Sequence, residues 1–172
     1  MTTQIKGSAT STFGGNVDVT GNVITDAPAF SAKVSANYFI SNNTVTVLSA
    51  DVEDFDTNSC YNNTGSTVDG IPAYAFLPNV AGYYQINFAI SNGGISISYT
   101  DSRINKNGSL YRYGNILQPV SATFSTFGAV GSAIIYMNGT TDYLQIANYI
   151  SASSSNNVAG NSYWSGSLVR AV

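Results

Sequence analysis

The side chains best placed to do chemistry lie in one acidic run, Asp51-Val52-Glu53-Asp54-Phe55-Asp56. If this run is a strand, Asp51 and Glu53 share one face, because side chains alternate along a strand. Carboxylates arranged in this way could bind calcium, or act as the acid pair of a glycosidase, whose carboxyl groups lie ~5–10 Å apart. The alternative, a solvated acidic loop, is favoured because the residue pattern of an EF-hand loop is absent.

Other common catalytic and cofactor sites are excluded by residue type. The chain has no histidine, which removes Ser-His-Asp and Cys-His systems and imidazole metal sites. It also lacks a Gly-Lys-Ser/Thr phosphate loop and a Gly-x-Ser-x-Gly elbow. Cys60 is the single cysteine, so an intrachain disulfide cannot form. We therefore expect no enzymatic activity, no catalytic residues, no cofactor and no defined metal ligands.

Composition limits the partners. A chain of 172 residues fits one domain, and its charged fraction of 9% is far below the usual ~25%. The net charge is −3 and the six basic residues are scattered, so we expect no binding to nucleic acid. There is no apolar leader near Met1 and no run of ~20 apolar residues, so we expect synthesis in a cytoplasm and no membrane anchor.

Hydrophobic residues recur with a period of two, which predicts strands. Within residues 84–90, every second side chain is apolar while Gln85 and Asn87 face the other way. Asn107-Gly108 and Asn138-Gly139 each separate two apolar runs, and Asn-Gly suits a type I′ turn. Both are predicted to be tight antiparallel hairpins. With no helical pattern, the prediction is an all-β sandwich.

The chain divides into an extended N-terminal arm, residues 1–27, and a head, residues 28–172. The arm is rich in Gly, Thr and Asn, and its valines are too sparse to bury a core. Residues 13–23 resemble segments that recur in bacteriophage tail fibres. We expect a partner to clamp the arm, the alternative being a disordered leader. The candidate docking residues are Phe13, Val17, Val19 and Val23.

Tyrosines on the second face of predicted strands indicate a subunit contact. If Leu144, Ile146 and Ile150 enter the core, then Tyr143, Gln145, Ala147 and Tyr149 face away from it, and Tyr163 likewise opposes Trp164. A tyrosine suits a buried contact with one wet end, although ordinary exposed tyrosine is the alternative. The candidate interface residues are Tyr83, Tyr143, Gln145, Tyr149 and Tyr163.

Several motifs occur in one order along residues 29–172. They are Ala29-Phe30-Ser31-Ala32, Tyr61-Asn62-Asn63-Thr64-Gly65, Pro78-x-x-x-Gly82-x-Tyr84, Arg103 to Gly108, Gly131 to Tyr136, Gly139 to Ile146 and Ser162 to Leu168. Their order resembles the globular head of the first complement component's q subunit and the related tumour necrosis factors. The resemblance implies an antiparallel jelly-roll sandwich that assembles as a homotrimer. Some relatives bind calcium near the threefold axis, so the resemblance allows a metal in this chain without identifying its ligands.

Three functions remain. The first is a bacteriophage virion protein, a homotrimer that decorates or cements the capsid through its arm. The second is the adhesion head of a head or tail fibre, which binds a host glycan or surface protein. Its candidate loops are residues 62–70 and 151–161, with Tyr61, Tyr149 and Tyr163 nearby. The third, a secreted cytokine-like or lectin-like ligand, has neither a leader nor a disulfide pair to support it. We expect the first, on the virion surface.

Overall fold

The computed structural model describes residues 27–118 and 126–172. Within these ranges it contains strands, turns and loops but no helix, and therefore no helix that could span a membrane. The predicted all-β fold is confirmed. The strands are β1 (Ala29–Lys33), β2 (Tyr38–Phe39), β3 (Val45–Val47), β4 (Val52–Asp56), β5 (Gly82–Lys106), β6 (Ser109–Leu117), β7 (Thr126–Met137), β8 (Leu144–Val158) and β9 (Tyr163–Ala171).

Strand β5 organises the sandwich because it runs through both layers. Its first half pairs with β7 and β9, and β9 continues through β1 to β4. We call these strands the first layer. Its second half pairs with β8 and β6, and β8 also carries the short strands β2 and β3. These strands form the second layer. All of these pairings are antiparallel, so the predicted jelly-roll sandwich is confirmed.

The core between the layers is centred on aromatic rings. Phe30 stacks on Tyr61 with ring centroids 4.5 Å apart, and Trp164 meets Phe30 edge-on at the same distance. Phe76 lies on the other side of Phe30, at 4.7 Å. In β5, Tyr84, Ile86, Phe88 and Ile90 are buried as the alternation predicts. These contacts anchor the opening strand β1 and the closing strand β9 beside the long β5.

The two Asn-Gly dipeptides have different structures. Asn107 and Gly108 both have positive φ, 54° and 77°, and Lys106 pairs with Ser109, so the predicted hairpin is confirmed. The predicted hairpin at Asn138-Gly139 is wrong. Strand β5 lies between β7 and β8, which therefore do not pair with each other. The Asn138 Oδ1 instead accepts the amides of residues 140–142 and closes a wider loop.

A long connection, residues 57–81, links β4 to β5. Its tightest turn is Asp69-Gly70, both with positive φ, between the paired residues Val68 and Ile71. The Asn62 side chain is buried, and its Nδ2 donates to the carbonyl oxygens of residues 66, 71 and 72. The connection is thus tied to itself through backbone groups. The arm and its candidates Phe13, Val17, Val19 and Val23 lie outside the described residues, so the boundary near residue 27 stays a prediction.

Candidate functional site

The carboxylates of the acidic run bind to their own chain. Asp51 accepts the backbone amide of Ser35 at 2.8 Å and its hydroxyl at 2.6 Å. Asp54 accepts from Lys33 Nζ at 3.0 Å, and Asp56 accepts two backbone amides of the following connection. Burial raises the pKa of Asp51, but the hydrogen bonds from Ser35 outweigh it and the net pKa is lowered. The hydrogen bond from Lys33 lowers the pKa of Asp54.

These carboxylates do not form the arrangement that the sequence suggested. The expected sharing of one strand face by Asp51 and Glu53 is wrong, because Asp51 precedes β4 and turns back to Ser35. Among residues 27–118 and 126–172, no three His, Cys, Asp or Glu side chains are grouped to hold a metal ion. Cys60 is buried and its Sγ donates to Asp56, and burial raises its pKa, so it remains a thiol. The acidic run stabilises the loops that flank β4.

Two of the candidate interface residues lie on the outer face of the first layer. Tyr83 is 43% exposed and Tyr163 is 46% exposed, whereas Trp164 is fully buried, as the alternation predicts. Tyr83 pairs with Arg170, and Tyr163 pairs with Ala89, so the two tyrosines lie at opposite ends of the β5 and β9 ladder.

The other three candidates lie on the second layer. Tyr143 donates its amide to Asn107 Oδ1, Gln145 Nε2 donates to the Ala73 carbonyl at 2.7 Å, and Tyr149 is half-buried on β8. Ala147 also faces outward, but it is fully buried by its neighbours. The structure therefore separates the five candidate residues onto two layers, and their role in a subunit contact stays a prediction.

An exposed apolar surface on two strands was not found from the sequence. Strands β6 and β7 lie at the same edge of the two layers, and none of their described residues pair with each other. A Cβ built on Gly131 of β7 would lie 3.1 Å from the Gly114 Cα of β6, so the strands approach closely there. We call this surface the open edge. Besides Tyr113 of β6, which packs against Arg103, its exposed apolar residues are Leu110, Tyr111, Ile116 and Leu117 of β6 and Val130, Ile134 and Tyr136 of β7.

Strand β6 is unusual because neither of its faces is buried. Eight of its nine residues are exposed and the ninth is half-buried. A strand of a sandwich normally buries alternate residues, whereas this strand leaves apolar side chains exposed on both of its faces. The signal in the sequence is the loss of alternation in residues 109–117, where apolar and polar residues follow no period of two.

The open edge has a charged group at one end, Lys106, and a second, Arg112, within β6. Lys106 Nζ donates to the Tyr136 carbonyl at 2.7 Å and forms an ion pair with Asp142 at 2.8 Å. The same ammonium lies 5.9 Å from the centre of the Tyr111 ring and 5.8 Å from that of Tyr136. Tyr83 contacts the Tyr136 ring at 5.6 Å and continues the aromatic surface onto the first layer.

Comparison with known proteins identifies the fold. No protein-family model matches the chain, and no curated protein matches its sequence. Among solved structures, the globular domain of zebrafish complement 1qA protein has a TM-score of 0.55 and 13% identity, over 84% of this chain and 99% of that one. Murine APRIL at pH 5.0 has a TM-score of 0.52 and 8% identity, over 83% and 99%.

This chain has the complement and tumour necrosis factor type of jelly roll. The identities are low, so the similarity establishes the fold and leaves the function open. In this jelly roll, one of the two candidate glycan loops is not a loop. Residues 151–158 belong to β8, because they continue its pairing with β5 and β2. Tyr61, expected near those loops, is stacked in the core and is 5% exposed.

Proposed function

We propose that the protein is a non-enzymatic bacteriophage virion protein, a homotrimer that decorates or cements the capsid surface through its N-terminal arm. The observation that carries this proposal is the open edge. Besides Tyr113, seven large apolar side chains are exposed there, on two neighbouring strands. Contiguous exposed apolar surface of this kind marks sites of protein association.

A second copy of the chain is the partner that fits the open edge. The outer face of the neighbouring first layer carries small and neutral side chains between Tyr83 and Tyr163, which suits close approach of another strand. A contact between β6 of one subunit and the first-layer face of the next, to which Val130, Ile134 and Tyr136 of β7 belong, uses two different surfaces. Such heterologous contacts close into a ring when the rotation from one subunit to the next allows it, and in our proposal three copies close this ring.

The virion role is supported by features outside the contact. The surface has few charges and many Ser, Thr and Asn side chains, and residues 13–23 resemble fibre segments. In a trimer, three arms bind at once, so a weak contact of each arm with the major capsid protein is strengthened by effective concentration. We place the protein on the virion surface after assembly in the host cytoplasm.

The test of this role separates attachment from folding. A variant lacking residues 2–27 is expected to form the same folded trimer but to be absent from particles in cryo-electron microscopy. A point variant with Val17→Asp, Val19→Asp and Val23→Asp should also fail to attach. The matched control, Thr3→Asp, Thr10→Asp and Thr12→Asp, adds the same charge to the arm and should attach more strongly than the valine variant.

The distribution of density decides between the capsid role and adhesion. Trimers repeated over local threefold positions of the shell support decoration. Density confined to a vertex or tail tip contradicts decoration and supports the second candidate, a receptor-binding head. Loss of the fold on deleting residues 2–27 would contradict the division into arm and head.

The receptor-binding head is retained because of one specific observation. The outer face of the second layer contains a cavity lined by three tyrosines and one buried ion pair. The predicted loop at residues 62–70 is a weaker site, because Asn62 uses its amide to hold the loop together.

A further inference from the structure

The cavity on the second layer is created by the register of four strands. Asp101 of β5 lies beside Tyr149 of β8, which in turn lies beside Val45 of β3. Two residues further along β5, Arg103 lies beside Tyr113 of β6. Side chains two positions apart share a face, so all of these point outward together. The cavity has a volume of about 420 Å³ and is lined by Val45, Tyr99, Asp101, Arg103, Tyr113, Tyr149 and Ser151.

The floor of the cavity is a buried ion pair. Arg103 Nε donates to Asp101 Oδ1 at 2.6 Å, and Arg103 Nη2 donates to Asp101 Oδ2. The side chains are 13% and 1% exposed. Burial lowers the pKa of Arg103, but the hydrogen bond and the charge of Asp101 outweigh this effect and raise it. The guanidinium therefore stays charged, and its two hydrogen bonds hold it in one orientation.

The guanidinium retains donors for a ligand. Its plane lies between two rings, 5.4 Å from the centre of Tyr113 and 5.8 Å from that of Tyr149. In the part of the chain that the structure describes, no acceptor is bonded to its Nη1. Desolvation, the charge of Asp101 and a hydrogen bond to Asp101 raise the pKa of Tyr99, so its phenol stays protonated, donates to Asp101 and offers a ligand its oxygen as an acceptor.

The charges of the cavity favour a neutral ligand. Asp101 and Arg103 are the only charged residues of its described lining, and they cancel each other. An ionic ligand would lose its hydration without gaining an uncompensated opposite charge. A neutral molecule with many hydroxyl groups meets fixed donors, phenol hydroxyls and flat apolar rings, which is the combination that small-ligand sites use.

We propose that this cavity binds a neutral pyranose sugar. One face of the sugar ring carries C–H groups that pack against Tyr113 or Tyr149, while its hydroxyl groups accept from Arg103 and bond to the phenols. All seven lining residues belong to one chain, and only Tyr113 lies on a strand of the open edge, so the proposal does not require the trimer. It goes beyond the decoration role and gives the receptor-binding alternative a site and a ligand class.

The test is a titration of the full chain, followed by protein NMR, with five neutral sugars and one charged sugar. The neutral sugars are D-glucose, D-galactose, D-mannose, N-acetyl-D-glucosamine and N-acetyl-D-galactosamine, and the charged sugar is D-glucuronate. At least one neutral sugar should give saturable shifts, with glucuronate binding at least tenfold more weakly. Saturation by glucuronate alone, or by none of the six, would overturn the proposal.

Substitutions of tyrosines that line the cavity test whether the sugar binds there. Tyr113→Ala is expected to weaken binding at least tenfold, and Tyr113→Phe to restore most of it by returning the ring. Tyr99→Ala provides a second variant within the cavity, with the same expected loss. Tyr163→Ala is the matched control, because Tyr163 is as exposed as Tyr113 but lies on the first layer. Equal binding by both cavity variants and the wild type, or an equal loss in the control, would overturn the site.

Discussion

The outer faces of the two layers differ in how their polar groups are used. On the first layer, Gln85 Nε2 donates to Ser132 Oγ at 2.7 Å, and this hydroxyl donates to Asn87 Oδ1 at 2.9 Å. These neutral side chains hydrogen-bond to one another, which leaves this part of the surface open for another protein. On the second layer, long side chains rise around Asp101 and Arg103 and form a cavity. Flat neutral faces suit a broad contact, whereas walled faces suit a small ligand.

An ion pair on one face can be compared with an ion pair on the other, because their environments differ. Lys33 and Asp54 on the first layer are 43% and 44% exposed, whereas Arg103 and Asp101 are 13% and 1% exposed. Exposed pairs contribute little because water screens them, whereas a buried charge that loses its partner is strongly destabilising. The burial of an ion pair, rather than its charges, therefore decides how much the pair affects the stability of the fold.

The largest effect is expected from breaking the buried pair. Arg103→Met should lower the free energy of unfolding by ~3–5 kcal/mol, because it leaves the Asp101 carboxylate buried without a partner. Lys33→Met, the same change in the exposed pair, should cost at most ~1 kcal/mol. Urea denaturation of both variants measures the difference.

A double variant tests the cause of that loss. Asp101→Leu with Arg103→Met removes both charges, and it should recover most of the stability that Arg103→Met loses. Equal losses in Arg103→Met and Lys33→Met would contradict the comparison of the two faces.

A smaller loss of stability is expected from a substitution at the open edge, where the two layers meet. A Cβ on Gly131 would overlap Cζ of the buried Phe88, whereas a Cβ on Gly128, in the same strand, meets nothing within 4 Å. Gly131→Ala should therefore cost ~1–3 kcal/mol of unfolding free energy by overpacking. Gly128→Ala is the control and should be near neutral.

A second substitution tests whether the Phe88 ring causes the loss of stability in Gly131→Ala. Phe88→Leu should partly rescue Gly131→Ala, because a shorter side chain leaves room for the added methyl. An additive loss in the double variant would show that the ring is not the obstacle.

The smallest effect concerns Asp142, which joins the loop after β7 to the turn after β5. It accepts from Asn107 Nδ2 at 2.8 Å and pairs with Lys106 Nζ at 2.8 Å. Burial raises the pKa of Asp142, but these bonds outweigh it and the net pKa is lowered. Asp142→Asn should cost ~1–2 kcal/mol at pH 7, since two of the acceptor contacts are weakened.

The pH dependence of this loss has a definite sign. A carboxylate with a lowered folded pKa stabilises the fold fully above its unfolded pKa of ~3.9, and this contribution disappears as pH falls through the folded pKa. The stability difference between wild type and Asp142→Asn should therefore shrink below about pH 4. A difference that grows in acid would contradict the assignment.

The sequence alone predicted those structural features that depend on residues close together along the chain. The alternation in residues 84–90 gave the buried face of β5, and Asn107-Gly108 gave its turn. The cavity was missed because Tyr99, Tyr113 and Tyr149 meet only through the register of three strands. The hairpin predicted at Asn138-Gly139 was wrong because an Asn-Gly dipeptide indicates a local positive φ but does not determine which strands pair beside the turn.

The central claim, that the open edge is a contact between copies of the chain, is tested most directly by the mass of the particle in solution. One chain has a mass of 18.1 kDa, so light scattering should give three times this value, about 54 kDa. Ile134→Asp should dissociate the trimer, whereas Val68→Asp, at a 43% exposed position in the connection between β4 and β5, should not. A wild type of 18.1 kDa, or a trimer that tolerates Ile134→Asp, would contradict the claim.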